Sequence, residues 1–255
     1  MTISEFFNCF CIFSFIGWIY ECTYCSVKEK HWANRGFMFG PLCPIYGVGT
    51  ISCIFLFGVL PIHMGWLERG EIETIPMWII FLICSIGSAI LEYATSYVLE
   101  RIFHAVWWDY SDMPLHLNGR ICLPASVGFG VAGILVTRFL VPFVLGHSGM
   151  TPANLSQFLA LLFMFIFGGD MALTVASLSS FIEKMEGAQE IFDEKMEDGF
   201  QVLATKLNFR DRYHIRNMLI FRGRRQKNAK AMDPGYYKRF RAWMGKHEIE
   251  FKRKK

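Results

Sequence analysis

Apolar residues run almost unbroken through five stretches, Ile3–Val27, Phe37–Ile62, Ile75–Leu99, Ile121–Leu145 and Phe158–Phe181, and polar residues gather between them. Each stretch supplies the roughly 20 apolar residues that a helix needs to cross a bilayer. None alternates with period two, which argues against the strands of a closed barrel. Five helices of this length before residue 183 leave too little polar surface for a water-soluble domain. The pattern predicts an all-α fold, a polytopic membrane bundle of five helices over residues 1–182 with a tail at 183–255.

After Phe181 the pattern changes. Met185, Ala188, Ile191, Phe192, Met196, Phe200 and Leu203 recur at spacings of three and four, which predicts an amphipathic helix continuing from the last span. Tyr213, Ile215, Met218, Leu219 and Phe221 suggest a second short helix, and the basic run from Arg222 to Lys230 follows it. Tyr236, Tyr237, Phe240 and Trp243 then alternate with Lys238, Arg239 and Arg241, ahead of the basic cluster Lys252–Lys255.

Composition supports the membrane reading: 53% of residues are hydrophobic and 19% charged, against about 25% charged in soluble domains. The net charge of +4 hides a division. Residues 1–182 carry seven Lys and Arg against eleven Asp and Glu, and the tail carries nineteen against eleven. Lys28, Lys30 and Arg35 join the first and second stretches, and Arg101 and Arg120 join the third and fourth. Glu68, Glu71 and Glu73 stand against Arg69 between the second and third. Placing the basic loops and the tail in the cytoplasm of a multi-pass cell-membrane protein satisfies the positive-inside rule and leaves the N-terminus outside. The solvated basic tail is expected to rest on anionic inner-leaflet lipid. Membrane tethering and the lack of a binding motif argue against nucleic acid.

All eight cysteines lie in the apolar body, scattered rather than framed as in a secreted disulfide scaffold. Cys22-x-x-Cys25 lacks the four ligands of a structural zinc site. The first apolar stretch has no basic n-region, so it reads as a mature span. No metal, cofactor or catalytic residue is expected.

Two segments resemble each other internally. Ile16-Gly17 before Glu21 matches Ile86-Gly87 before Glu92, and Cys43-Pro44 with Gly47 matches Cys122, Pro124 and Gly128. Each unit then reads as a helix, a cytoplasmic loop and a Pro/Gly-broken helix. Two units of equal orientation imply a pseudo-twofold axis along the membrane normal.

Ionisable groups inside apolar helices are costly and need a partner or a purpose. Glu21, Glu92 and Asp170 are such groups. The repeat would set Glu21 and Glu92 at similar depth across the axis, where they bind a cation or relay protons; the alternative is that Arg35 or Arg120 neutralises each. Asp170, in Gly168-Gly169-Asp170, belongs to the same pathway or to close helix packing. Asn118 and Arg120 stand beside the second helix break. Pro41, Cys43, Pro44, Cys122 and Pro124 mark the starts of the second and fourth spans, where irregular backbone lines a cavity or Pro simply opens the first helical turn. Trp107, Trp108, Asp109 and Tyr110 suit anchors at the headgroup level.

Gly36-Phe37 through Gly47, Glu92-Tyr93, Trp107-Trp108-Asp109-Tyr110-Ser111 and Asn118-Gly119-Arg120-Ile121-Cys122-Leu123-Pro124 carry a resemblance. Over roughly residues 5–185 the chain resembles the bacterial membrane family called putative ABC-transporter type IV, to which the transmembrane protein 229 group is similar. The resemblance implies a transporter permease subunit of unknown substrate. No Gly-x-x-x-x-Gly-Lys-Ser/Thr loop occurs, so an ATPase would be a separate subunit. A non-catalytic scaffold or sensor and, further off, a lipid-acting membrane enzyme are the alternatives, and oligomer formation stays open. A transporter requires a polar path reaching Glu21 and Glu92, a scaffold requires them paired in a dry core, and an enzyme requires a nucleophile beside a base.

Overall fold

The computed structural model describes residues 1–30, 36–68, 71–189, 204, 206–217, 220–221 and 239–244. It is mostly helical, and five helices are long and apolar enough to cross a membrane: Ile3–Val27, Pro44–His63, Met77–Phe103, Leu123–His147 and Ala153–Phe181. Large side chains on them face outward, among them Ile90, Phe139 and Phe165, the last 80% exposed. Apolar faces of this extent require hydrocarbon around them. The chain is a multi-pass membrane protein, and these helices are its first to fifth spans. It divides into two compact units, residues 1–95 with 110–171 and residues 96–109 with 172–255.

Within the first unit, the first span opens on a capping box. The Thr2 side chain accepts from the Glu5 N–H at 3.2 Å, and the Glu5 carboxylate accepts from the Thr2 N–H at 2.7 Å. That carboxylate also accepts from the Gly149 N–H at 2.7 Å and the Ser148 hydroxyl at 3.2 Å, which fixes the turn between the fourth and fifth spans to the start of the chain.

The first and second spans press together at a glycine. A Cβ added to Gly47 would lie 2.2 Å from Ser14 Oγ and 2.6 Å from the Phe10 carbonyl. The third and fourth spans meet the same way, with a Cβ on Gly130 falling 2.1 Å from Ser85 Oγ. Small residues allow such approach where lipid offers no hydrophobic drive for helix association. Of the residues matched in the sequence repeat, Gly17 lies against Tyr46, whereas Gly87 and Gly128 have nothing within 4 Å.

Two wide turns interrupt the spans, Ile54–Val59 in the second and Val136–Leu140 in the fourth. There the Leu60 N–H bonds to the Phe55 carbonyl and the Val141 N–H to the Val136 carbonyl, five residues back. Each turn runs up to a proline, Pro61 or Pro142. A proline ring clashes with the carbonyl four residues earlier, and widening the turn relieves that clash. Arg138 projects from the second wide turn. Its Nη1 donates to the Ile72 carbonyl at 2.8 Å and its Nη2 to the Ile75 carbonyl. This holds the connection between the second and third spans against the bundle, where Ile72 is buried with Ile54, Val141 and Leu145.

The second span begins at Pro44, seven residues later than the apolar pattern suggests. Residues 36–43 are not helical: the Leu42 N–H bonds to the Gly40 carbonyl at 2.8 Å and the Cys43 N–H to the Ser14 carbonyl at 2.9 Å. Ser14 lies eleven residues into the first span, about 16 Å along its axis. The irregular backbone therefore reaches into the middle of the bundle, with Met38 and Cys43 buried. Apolar composition alone does not separate such a segment from a helix. The fifth span likewise starts earlier than expected, at Ala153.

In the second unit, Ala105–Val106 pairs antiparallel with Ile220–Phe221 from the tail. The helix Phe209–Asn217 is capped reciprocally: the Asp211 N–H donates to Asn208 Oδ1, and the Asn208 N–H to Asp211 Oδ2, each at 2.9 Å. Lys184 pairs with Asp211 at 2.6 Å, and His214 lies 3.2 Å from the Ser177 hydroxyl. Leu178, Phe181, Leu207, Tyr213, Ile215 and Phe240 are buried. Leu207, Tyr213, Ile215 and Phe240 are tail residues that build a protein core, where the sequence suggested a solvated tail resting on lipid. An amphipathic face reads the same in sequence whether lipid or protein covers it. The fifth helix continues to Gln189. Residues 190–203 and 205 of the expected Glu183–Leu207 helix, the basic run from Arg222 to Lys230, Tyr236–Lys238, Lys252–Lys255, Arg35 and Arg69 lie outside the described residues.

Candidate functional site

Glu21 projects from the first span and Glu92 from the third, each surrounded in sequence by apolar residues. The Tyr46 hydroxyl, on the first turn of the second span, donates to Glu21 Oε2 at 2.6 Å. Cys25 Sγ stands 3.7 Å from the other Glu21 oxygen. The Tyr110 hydroxyl, from the loop before the fourth span, donates to Glu92 Oε1 at 3.1 Å. Glu92 is only 6% exposed, and its Oε2 has no hydrogen-bond partner. The Glu21 charge reaches Tyr110, the residue that donates to Glu92, and disfavours a negative charge there.

Of the two bases expected to neutralise these acids, Arg35 lies outside the described residues. Among the described residues no Lys or Arg forms a salt bridge with Glu21 or Glu92. Arg120 instead places its guanidinium 5.1 Å over the Tyr93 ring. Asn118 Nδ2 donates to the Tyr93 hydroxyl at 3.1 Å, so both residues engage the tyrosine that follows Glu92. The strands His116–Leu117 and Ile121–Cys122 pair around a turn in which Asn118 (φ 54°) and Gly119 (φ 68°) are both left-handed. Asn and Gly adopt that conformation more readily than other residues, which is why this dipeptide turns the chain here.

Asp170 serves the irregular backbone. Its Oδ2 accepts from the Gly40 N–H at 2.8 Å, beside Pro41. A Cβ on Gly40 would sit 2.6 Å from that oxygen, so glycine is what lets the backbone come so near. Cys43 precedes Pro44 at the start of the second span, and its N–H donates to the Ser14 carbonyl. Pro124 occupies the first turn of the fourth span, after buried Cys122. Pro in these positions removes an N–H that would have no helical partner. Trp107 and Trp108, half-buried, and exposed Asp109 belong to the second unit.

Tyr110 is outside the spans, and burial first and then the nearby Glu92 charge push its phenol above the usual range. It therefore stays a neutral donor. Among the described residues, no three His, Cys, Asp or Glu side chains come together to hold a metal ion. The site thus offers one buried carboxylate, Glu92, and one half-buried, Glu21, each with a phenol donor. A buried carboxylate oxygen without a partner is costly to keep charged, and a positive charge beside it offsets that cost. Tyr46 and Arg138 were not foreseen as site or anchoring residues. Their signals were a tyrosine next to a helix-packing glycine and a lone arginine inside an apolar run.

No curated protein and no solved structure matches the chain. Residues 8–175 match the family described as Putative ABC-transporter type IV. That match spans well over half of the chain and takes in Glu21, Tyr46, Glu92, Tyr110 and Asp170. The chain belongs to the putative ABC-transporter type IV family.

Proposed function

We propose that the chain is the permease subunit of a cell-membrane transporter, with its N-terminus outside, its C-terminal unit in the cytoplasm and its ATPase on a separate chain. Family membership agrees with this. The observation that carries it is the pair Glu21 and Glu92, held inside apolar helices by tyrosines rather than by bases. An ionised carboxylate within a span costs roughly 2.5–3.5 kcal/mol on insertion scales, and ionisable groups kept there mark substrate or ion pathways. A scaffold gains nothing from two unneutralised acids.

The charge distribution supports the orientation, because the basic loops and tail then face the cytoplasm. Basic tail residues that do not enter the protein core are available to anionic inner-leaflet lipid.

The test is purification of the native complex under mild detergent, followed by mass spectrometry. A P-loop ATPase in stoichiometric amount is expected. A chain that emerges alone, or with partners that lack any nucleotide-binding subunit, overturns the permease reading. Accessibility of cysteines placed at Met1, Gly70 and Lys255 tests orientation; Lys255 outside or Gly70 inside rejects it.

A further inference from the structure

We infer that the Glu21/Glu92 pair takes up a single positive charge, either a proton or a small monovalent cation such as sodium. As a coupling site this rests on the permease reading, but binding is measurable without transport, so the two fail separately.

Four observations lead there. No Lys or Arg among the described residues bridges to either carboxylate. Glu92 is more than nine-tenths buried, and one of its oxygens has no partner. Tyr46 and Tyr110 satisfy one oxygen on each acid and bring no charge. The groups around the pair are Tyr20, Cys22 and Cys25 on the first span, Cys43 and Tyr46 at the start of the second, and Tyr110 and Cys122 ahead of the fourth. The nearby base, Arg120, lies over Tyr93. Nothing in that set neutralises two carboxylates.

A multivalent metal is a poorer fit, because no three metal-ligating side chains converge among the described residues. A proton needs only the two acids. A small cation needs further oxygens, and backbone that is not helical, such as that at 36–43, can supply them within a bundle.

The experiment is thermal melting of the full chain in detergent, from about pH 6 to about pH 9, in choline chloride or sodium chloride at equal ionic strength. For a proton, the Tm in choline falls by about 2 °C or more as the pH rises, and sodium changes nothing. For a cation, sodium restores the Tm at the alkaline end. In either case Glu92→Gln, which keeps the shape and removes the charge, abolishes the response. A Tm indifferent to both pH and sodium, or the same response in Glu92→Gln, overturns the inference. Should Glu92→Gln fail to fold, a hydrophobic carbodiimide on the wild-type chain decides. A protonated carboxyl adds across its C=N bond to give an O-acylisourea, which rearranges to a stable N-acylurea. Mass-detected modification of Glu92 or Glu21 that declines with rising pH or with sodium supports the site. Absent or invariant modification overturns it.

Discussion

The Tyr46 hydroxyl donates to Glu21 Oε2 at 2.6 Å, from the residue just before the glycine on which Ser14 rests. The closest packing of the first two spans and the seating of the first acid therefore share one helical turn. A disturbance of either is felt by the other.

Tyr46→Phe removes the donor and leaves the ring in place. A hydrogen bond to a charged group contributes about 1.5–3 kcal/mol, so the variant should melt several degrees below wild type. Tyr110→Phe should cost less, because its bond is longer at 3.1 Å. Melting in detergent checks both, and an unchanged Tm for Tyr46→Phe would show that the bond carries no load.

Gly47→Ala and Gly130→Ala should each destabilise by about 1–3 kcal/mol, as overpacking does. The new methyl would meet Ser14 with the Phe10 carbonyl in one case and Ser85 with the Phe81 ring in the other. Gly168→Ala is the control, since nothing lies within 4 Å of its added carbon. Melting curves that fail to separate the first two from the third would refute the close approach.

Arg138→Met should cost about 2–4 kcal/mol by leaving the Ile72 and Ile75 carbonyls without their charged donor. The loss should be local. Hydrogen exchange should quicken across residues 71–76 while the first span stays protected, and uniform exchange across both would count against this anchor.

His214 gives the second unit a pH dependence. Burial holds its pKa down at about 4, against an ordinary 6.5, with nearby Asp211 opposing the shift. A histidine depressed on folding contributes its full stability above pH 6.5 and loses it as the pH falls towards 4. The loss amounts to roughly 3 kcal/mol at most. Exchange at 209–217 should therefore accelerate between pH 6.5 and 4, and His214→Phe should flatten the change. An acid response that survives this substitution would assign the effect elsewhere.

The spans were legible because nothing but a bilayer rewards so many consecutive apolar residues. Where they begin was less so. Phe37, Met38 and Phe39 look the same in sequence whether they open a helix or fill a buried loop, and only the bonds from Gly40 to Asp170 and from Cys43 to Ser14 decide it. Glu21 and Glu92 stood out as charges within apolar runs. Their phenol partners did not, because Tyr46 reads as one more aromatic in a span and Tyr110 as an interface anchor eighteen residues from Glu92. Tail residues such as Tyr213 and Phe240 showed that a surface would cover them without showing which.

The wide turns before Pro61 and Pro142 change which neighbour a helix addresses. Gly130 and Val141 are eleven residues apart, a separation that in an unbroken α-helix returns to within about 20° of the same side. Yet Gly130 lies against Ser85 of the third span, and Val141 against Gly58 of the second. The wide turn between them acts as one inserted residue and rotates the remainder of the helix by about 100°. A single rod is thereby phased to two partners. Closing that turn to an ordinary α-turn without removing a residue would swing Val141 and Leu145 away from the second span and dissolve the cluster around Ile72, whereas deleting one residue within Val136–Leu140 would leave them facing it.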